Sequence, residues 1–535
     1  MAALLLLTGA VLRLLYLGEI PGGLNQDEAS SGYEAWALLH HGIDRNGYAW
    51  PVHFVSWGNG QNALYAYLSM PIIAALDLTM FSTRLLMALT GIASLLLFWR
   101  VAARDQPAPR SPREVPGATF ALLALLLLTL CPWHFMLSRW ALESNFLPFV
   151  ILLSVYFFTR PDNHRPGIQA AGVLVLSLSV YAYGTAYFFA PLFLALVFGW
   201  LRVQGKLPLW RFLLLSALSL LTVLPLLLFL AVNFFDWEAI RAGISMPKYT
   251  GKARYEQISL LFGGRFLSYF ADQLLFVVKI LSMSDPGVFT EFFNKMPRFA
   301  ILFPFAIVPL AFGFGATIHR AVKLREFGVP ALMALWLVAA LALVSVTLAN
   351  INRVNVLWLP AIYFTALGVF YACRRWRALL PVAAAAYLIY GGWFAHTYFT
   401  QYNDLRHNYP WPSYNLHSAF TSLSERAGPN DKIYITPSVH EAYMLTLFHT
   451  KTPPQDYLAT RTFISLNQSF QKVASFGNFI FIPERIDEAD HLVLLKSDRS
   501  IVANNEKEQA LVQEALSSDR CDTEVHGDFV VLHCD

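Results

Sequence analysis

Eleven apolar runs of membrane-spanning length, or nearly so, recur along this chain, at residues 1–17, 82–99, 118–137, 146–158, 168–182, 186–201, 212–233, 299–317, 329–349, 354–373 and 378–397. A helix of about 20 apolar residues is what crosses the hydrocarbon core of a bilayer. The chain therefore reads as a polytopic α-helical membrane protein with about 11 transmembrane helices. Of its 535 residues 56% are apolar and only 14% charged, against about 25% charged in soluble domains, which excludes a soluble enzyme.

Loop charge orients the runs, because Lys and Arg near span ends stay on the cytoplasmic side. One set of alternate loops carries fifteen basic residues, among them Arg100, Arg104, Arg160, Arg202, Arg320 and Arg374, against four acids. The short loops of the opposite set hold only Arg139 and Arg353. This places the N-terminus in the cytoplasm and everything after residue 398 outside. Arg13 interrupts the first run, no basic stretch precedes it and no small-residue cleavage site follows, so it is expected to be a retained helix rather than a signal peptide. Residues 258–283 are apolar, yet Arg265, Asp272 and Lys279 recur there every seven residues. That spacing puts three charges on one helical face, as in a helix lying in the interface.

The basic residues are dispersed between apolar runs rather than gathered in a solvated patch, which excludes a nucleic-acid partner. From residue 399 on, 18 acidic residues outnumber 11 basic ones. Short β-like runs at 432–436, 478–482, 491–495 and 529–532 alternate there with helical runs at 441–448 and 507–516, predicting a small extracytoplasmic α/β domain. The expected organisation is a membrane domain at 1–398, with a first outside loop at about 18–81 and an interfacial-helix loop at about 234–298, followed by the domain at 399–535. Cys131 and Cys373 fall in spans as small apolar residues. Cys521 and Cys534 flank a strand pair in the oxidising compartment, where a disulfide is expected. Asn467 begins a glycosylation sequon.

Three outside loops could carry chemistry. The first holds Asn25, Gln26, Asp27 and Glu28 after a Pro-Gly-Gly turn, readable as solvated acids at a helix N-terminus or as reacting carboxylates. The second holds Trp133, His134, Ser138, Arg139, Trp140 and Glu143, readable as a helix ion pair with snorkelling charges or as an anion site. The third, 350–355, holds the lone Arg353, which opposes the positive-inside trend. Carboxylates, arginines and aromatic surfaces (Tyr33, Trp36, Trp57, Trp140) on one membrane face form a set suited to chemistry on a lipid-borne anion.

In three segments the chain resembles the C-type (GT-C fold) membrane glycosyltransferases of the protein O-mannosyltransferase and aminoarabinose transferase family, glycosyltransferase family 39-like. They are GEIPGGLNQDEA at 18–29, NALYAYLSMPIIAALDLTMFSTRLLMALTG at 62–91, and PWHFMLSRWALESNFLP at 132–148. INRVNVLWLP at 351–360 is similar to a late Arg motif of that family, whereas 265–285 lacks the acceptor-side loop motif and 399–535 shows no family signal. The resemblance implies a GT-C fold. It further implies inverting transfer of a sugar from a polyprenyl-phosphate carrier to an acceptor hydroxyl or amine at the extracytoplasmic face of the plasma membrane. The acceptor would be a protein, a lipid or a cell-wall glycan.

On this resemblance Asp27 is the general base, and Glu28 and Glu143 position acceptor or base. Arg139 and Arg353 bind the departing lipid phosphate, and Tyr33, His53, His134 and Trp140 line the substrate cavity. No cofactor is certain. Some members of the family hold a divalent ion near these acids, for which His53 or His134 are possible ligands, set against hydrogen bonding at the interface. The rival readings are a multi-span lipid or sugar transporter or flippase, which places its ionisable residues near the midplane and shows repeated halves, and a scaffold with a partner-binding outer domain.

Overall fold

The computed structural model describes residues 1–105, 115–251, 266–282, 295–406, 413, 415–465, 471–495, 506–517 and 521–533. From the N-terminus the first seven helices are α1 (Ala2–Leu14), α2 (Gln26–His41), α3 (Leu64–Leu76), α4 (Met80–Ala102), α5 (Ala118–Leu130), α6 (Pro132–Leu137) and α7 (Glu143–Phe158). The chain divides into two compact units. A helical unit comprises 1–15, 87–227 and 255–399, and an α/β unit comprises 16–86, 228–254 and 400–535.

All eleven apolar runs contain helix, but their lengths differ. Among the described residues five are long and apolar enough to cross a membrane: Met80–Ala102, Ala186–Val203, Leu209–Phe234, Asn355–Arg375 and Leu379–Asp404. The other six fold as helices of 13 to 17 residues. At 1.5 Å per residue these are about 20–25 Å long, short of the roughly 30 Å hydrocarbon core. The shortening has local causes. Pro132 restarts the chain as α6 after Cys131 turns extended, Leu15 turns extended after α1, and 299–306 forms turns before the helix Ile307–Lys323. These helices fit a polytopic helical membrane protein.

Within the helical unit, Ile307–Lys323 and Trp358–Arg375 cross backbone to backbone. A Cβ on Gly368 would stand 1.9 Å from the Pro309 carbonyl oxygen, and one on Gly313 2.3 Å from that of Phe364, the close approach that small residues permit between membrane helices. Phe266–Ser282 is helical and buries Val277, Ile280 and Leu281 while Asp272 stays exposed. That is an amphipathic helix; Arg265 lies outside the described residues.

The α/β unit is built on a seven-stranded sheet. Its strands are β5 (Ile433–Ile435), β6 (Thr462–Ser465), β7 (Lys472–Phe476), β8 (Phe479–Ile480), β9 (His491–Leu495), β10 (Asp522–His526) and β11 (Phe529–His533), in the order β10-β11-β9-β5-β8-β7-β6. Only β5 pairs in parallel, with β8 and β9; the rest is antiparallel. Two hairpins precede it, β1 (His53–Ser56) with β2 (Asn59–Asn62), and β3 (Ile240–Ala242) with β4 (Ile244–Met246). The β-like runs of the sequence coincide with β5, β8, β9 and β11, whereas β6, β7 and β10, which carry more polar residues, were not visible in it. Cys521 is disulfide-bonded; Cys534 and the sequon at Asn467 lie outside the described residues.

One hydrophobic core joins Tyr33, Trp36 and Leu38 of α2 to Phe448 of the helix Ala442–Thr450 and to Val493 and Phe529 of the sheet. Every residue from Glu28 to Leu38 is buried. A helix buried all round needs neighbours on every side, and the buried polar groups of α2, Glu28, Ser30, Ser31 and Glu34, need polar partners there; residues 16–86, 228–254 and 400–535 accordingly fold together as one unit.

Candidate active site

The segment 18–29 folds as a turn that delivers the chain into α2. Gly23 has φ +69°, and a Cβ there would stand 2.5 Å from the Ser413 carbonyl oxygen, so only glycine fits. Asn25 caps α2, its Oδ1 accepting from the Asp27 N–H at 2.7 Å, while the Asn25 N–H donates back to Glu28 Oε2 at 3.1 Å. This capping box satisfies two backbone donors of the helix start reciprocally.

Arg84, in the first turns of α4, closes the arrangement. Its Nε and Nη2 donate to Glu28 Oε1 and Oε2 at 2.9 and 3.0 Å, and the remaining donors reach the carbonyls of Pro21 at 2.7 Å and Gly23 at 2.6 Å. Both Arg84 and Glu28 are fully buried. Both Glu28 oxygens are thereby engaged in holding the turn, and Asp27 is half-buried in the first turn of α2.

A second set of charges stands behind that turn. Arg45 forms a buried ion pair with Glu34 at 3.1 Å, and its guanidinium lies 5.6 Å from the Trp57 ring centre. Burial raises the Glu34 carboxyl to about 8 against the opposing pull of Arg45, and raises Asp44 to about 6. Glu441, left-handed at φ 52° where the helix Ala442–Thr450 begins, is raised to about 8 by burial, opposed by Lys472 and Arg45 and reinforced by the negative charge of Asp27.

In the helical unit Arg139 is fully buried. It donates to the carbonyls of Leu12 at 3.0 Å and Leu15 at 2.7 Å and to the Tyr398 hydroxyl at 3.2 Å, between the rings of Phe135, Tyr398 and Phe399. It satisfies the last carbonyls of α1, a C-terminal role that suits a cation. Arg353 differs. It is half-exposed, and its Nη1 donates to the Leu348 carbonyl at 3.1 Å. Glu143 is half-buried in the first turn of α7. Asn355 brings the second and third loops together, accepting from Trp133 Nε1 at 2.8 Å and donating to the Ser144 carbonyl and to Asn145 Oδ1 at 3.1 Å each.

The four residues assigned to the cavity lining are all buried core or bundle residues. Tyr33 donates its hydroxyl to the Thr452 carbonyl at 2.6 Å. His53 stacks on Phe229 at 4.7 Å, and burial pushes its imidazole down to about 4. His134 Nδ1 accepts from the buried Arg13 at 2.7 Å. Trp140 is fully enclosed. None of them lines the cavity of about 360 Å³ in the α/β unit, which is bounded by the turn at 18–24 and by Asn403, His417 and His449. Among the described residues no group of three or more His, Cys, Asp or Glu side chains that could hold a metal ion is found.

Arg84, Arg45, Gln61 and Glu441 were not singled out in the sequence as site residues. Arg45 and Arg84 had a readable signal, the one a cation in the loop at 18–81 that is expected to lie on the side poor in them, the other a cation inside the apolar run at 82–99. Gln61 and Glu441 had none.

No protein-family model matches the chain, and no curated protein matches it. Solved structures do. ArnT, an aminoarabinose transferase, from Cupriavidus metallidurans in the apo state is 12% identical with a TM-score of 0.56, over 99% of this chain and 97% of that one. The same protein bound to undecaprenyl phosphate gives 12% and 0.55 over the same shares. The Archaeoglobus fulgidus oligosaccharyltransferase AglB in complex with an inhibitory peptide and a dolichol-phosphate, 13% identical over 92% of this chain and 69% of that one, reaches a TM-score of 0.48 and adds no weight. At such identities the likeness speaks for the fold, and what it says of the fold is plain: this chain has the GT-C fold of the C-type membrane glycosyltransferases.

Proposed function

We propose that this chain is an inverting glycosyltransferase that moves a sugar from a polyprenyl-phosphate carrier to an acceptor hydroxyl or amine at the extracytoplasmic membrane face. The observation that carries the reading is the division of labour in the Asp-Glu pair. Arg84 and the capping box engage both oxygens of Glu28 to hold the turn, and the neighbouring Asp27 lies half-buried in the first turn of α2, in a segment that resembles the family's acid motif. The undecaprenyl phosphate bound to ArnT, a protein of the same fold, supports a lipid-phosphate donor.

In this reading the Asp27 carboxylate takes the proton of the acceptor O–H or N–H. The acceptor's freed electron pair forms the new bond to the anomeric carbon as the bond from that carbon to the phosphate oxygen breaks. The lipid phosphate leaves with the electron pair, and the anomeric configuration inverts. Arg353 is the arginine offered to the leaving phosphate, since a guanidinium stabilises a developing oxyanion through paired N–H donors and that of Arg139 is spent on α1. Glu143 is proposed to position the acceptor, and Glu28 acts by holding the turn.

The test is glycosyl transfer in detergent, with radiolabelled polyprenyl-phosphate sugars and a membrane extract as acceptor, for wild type and Asp27→Asn. Transfer lost in the variant with donor lipid still bound supports the reading. Equal output from both, or no transfer from any donor, overturns it and puts a lipid or sugar transporter first.

A further inference from the structure

The first turn of α2 is held by a run of buried polar groups, and what each can donate fixes the direction of the run. Arg45 is donor-only. Its Nη1 reaches Ser30 Oγ and its Nη2 reaches Ser56 Oγ, both at 2.7 Å, with Glu34 Oε1 3.1 Å from Nη1. Each hydroxyl accepts from Arg45 and is left to donate. Both donate to Gln61 Oε1, Ser30 at 2.6 Å and Ser56 at 3.1 Å.

The Gln61 amide is thereby oriented, and its other end must present N–H. Nε2 donates to the Asp27 carbonyl at 3.2 Å and to Ser31 Oγ at 3.1 Å. Gln61 is 3% exposed and Ser30, Ser31, Arg45 and Ser56 are each at 2% or less, so water does not substitute for any of these contacts. A carbonyl in the first turn of a helix already accepts from the N–H four residues on. The added bond from Gln61 is therefore not needed to satisfy it, and acts on its position. With Asn25 Oδ1 holding the Asp27 N–H at 2.7 Å, the Asp27 peptide is gripped on both sides.

We infer that Gln61 is a positioning residue for Asp27, presenting a donor to the peptide that carries the base, so that it fixes where the carboxylate points and keeps a second negative charge away from it. This rests on the reading of Asp27 as the general base. The charged groups around that region are Glu28 with Arg84 on its own turn and on α4, Glu441 and Lys472 from the sheet side, and Glu34, Asp44 and Arg45 behind the turn. A glutamate at position 61 would add one more carboxylate to the four acids already there.

The experiment compares Gln61→Leu, Gln61→Glu and Asp27→Asn in the full chain in detergent, measuring kcat, donor KM and the pH profile of transfer. Gln61→Leu removes the grip, and a misplaced base is expected to lower kcat about ten- to a hundredfold with donor KM within about twofold. Gln61→Glu keeps the shape and still accepts both serine hydroxyls, but when ionised it has no N–H for the Asp27 carbonyl. Its charge opposes ionisation of Asp27 and moves the acid limb of the profile to higher pH by about one unit if position 61 stands beside the base; an amide remote from the base would leave the limb in place. Should Gln61→Leu not fold, Gln61→Glu carries the test alone. Loss of transfer in Asp27→Asn, with wild-type kcat and an unmoved pH profile in both Gln61 variants, overturns the positioning role and leaves the base in place. Wild-type transfer by Asp27→Asn overturns both readings together.

Discussion

Arg84 holds both carboxylate oxygens of Glu28, at 2.9 and 3.0 Å, with neither side chain reached by solvent. The pair joins the start of α4 to the start of α2 across 56 residues of sequence, and through its carbonyl contacts it also shapes the turn at 18–24. Removing one partner of a buried pair leaves an uncompensated charge. Arg84→Gln is expected to destabilise the protein by about 3–5 kcal/mol, read as a fall in Tm in detergent. The double variant Glu28→Gln with Arg84→Gln is expected to recover part of that loss. A double variant no better than the single one would show that the carbonyl contacts, not the ion pair, dominate.

Arg139 and Arg353 should separate by phenotype. Arg353→Ala removes a half-exposed guanidinium and is expected to raise donor KM about tenfold, the worth of one charged hydrogen bond, with Tm unchanged. Arg139→Lys keeps the charge but loses the fork that serves Leu12, Leu15 and Tyr398, so Tm is expected to fall with donor KM unchanged in the protein that remains folded. The reverse pattern would assign the phosphate to Arg139.

His53 ties stability to pH. Its imidazole is depressed to about 4 by burial, whereas an unfolded histidine titrates near 6.5. Between those values the unfolded chain binds the proton that the folded one refuses, so stability falls as pH drops from about 6.5 towards 4, by up to about 3 kcal/mol. His53→Phe, which keeps the stack on Phe229, is expected to flatten that dependence in Tm measured from pH 7 to pH 5. An equally steep decline in the variant would place the acid sensitivity elsewhere.

Glycines in apolar helices should divide by what faces them. Gly368→Val drives a side chain into the Pro309 carbonyl and is expected to prevent folding, seen as loss of the monodisperse peak in detergent. Gly199, in the helix Ala186–Val203, has nothing within 4 Å of a Cβ placed there. Gly199→Ala is expected to keep or raise Tm by the helix propensity of alanine, about 1 kcal/mol.

The helices, the turn into α2 and four strands of the sheet were legible in the sequence because each is set by local rules: apolar periodicity, turn chemistry around Pro21, Gly22 and Gly23, and caps within four residues. The same rules placed Asp27 and Glu28 at a helix start, but could not say that Glu28 is held by a buried guanidinium, because its partner, Arg84, lies 56 positions away. Arg139 and Arg353 look alike as lone cations in short outside loops; one is enclosed by three rings and the end of α1, the other is half-exposed. Tyr33, His53, His134 and Trp140 were aromatic groups in the right loops, and only packing showed them to be enclosed. Local sequence determined the elements and the chemistry available at the site. Burial and long-range hydrogen bonding, which depend on residues far apart in the chain, decided how deeply each of those groups is enclosed and which distant residues hold Glu28 and Arg139.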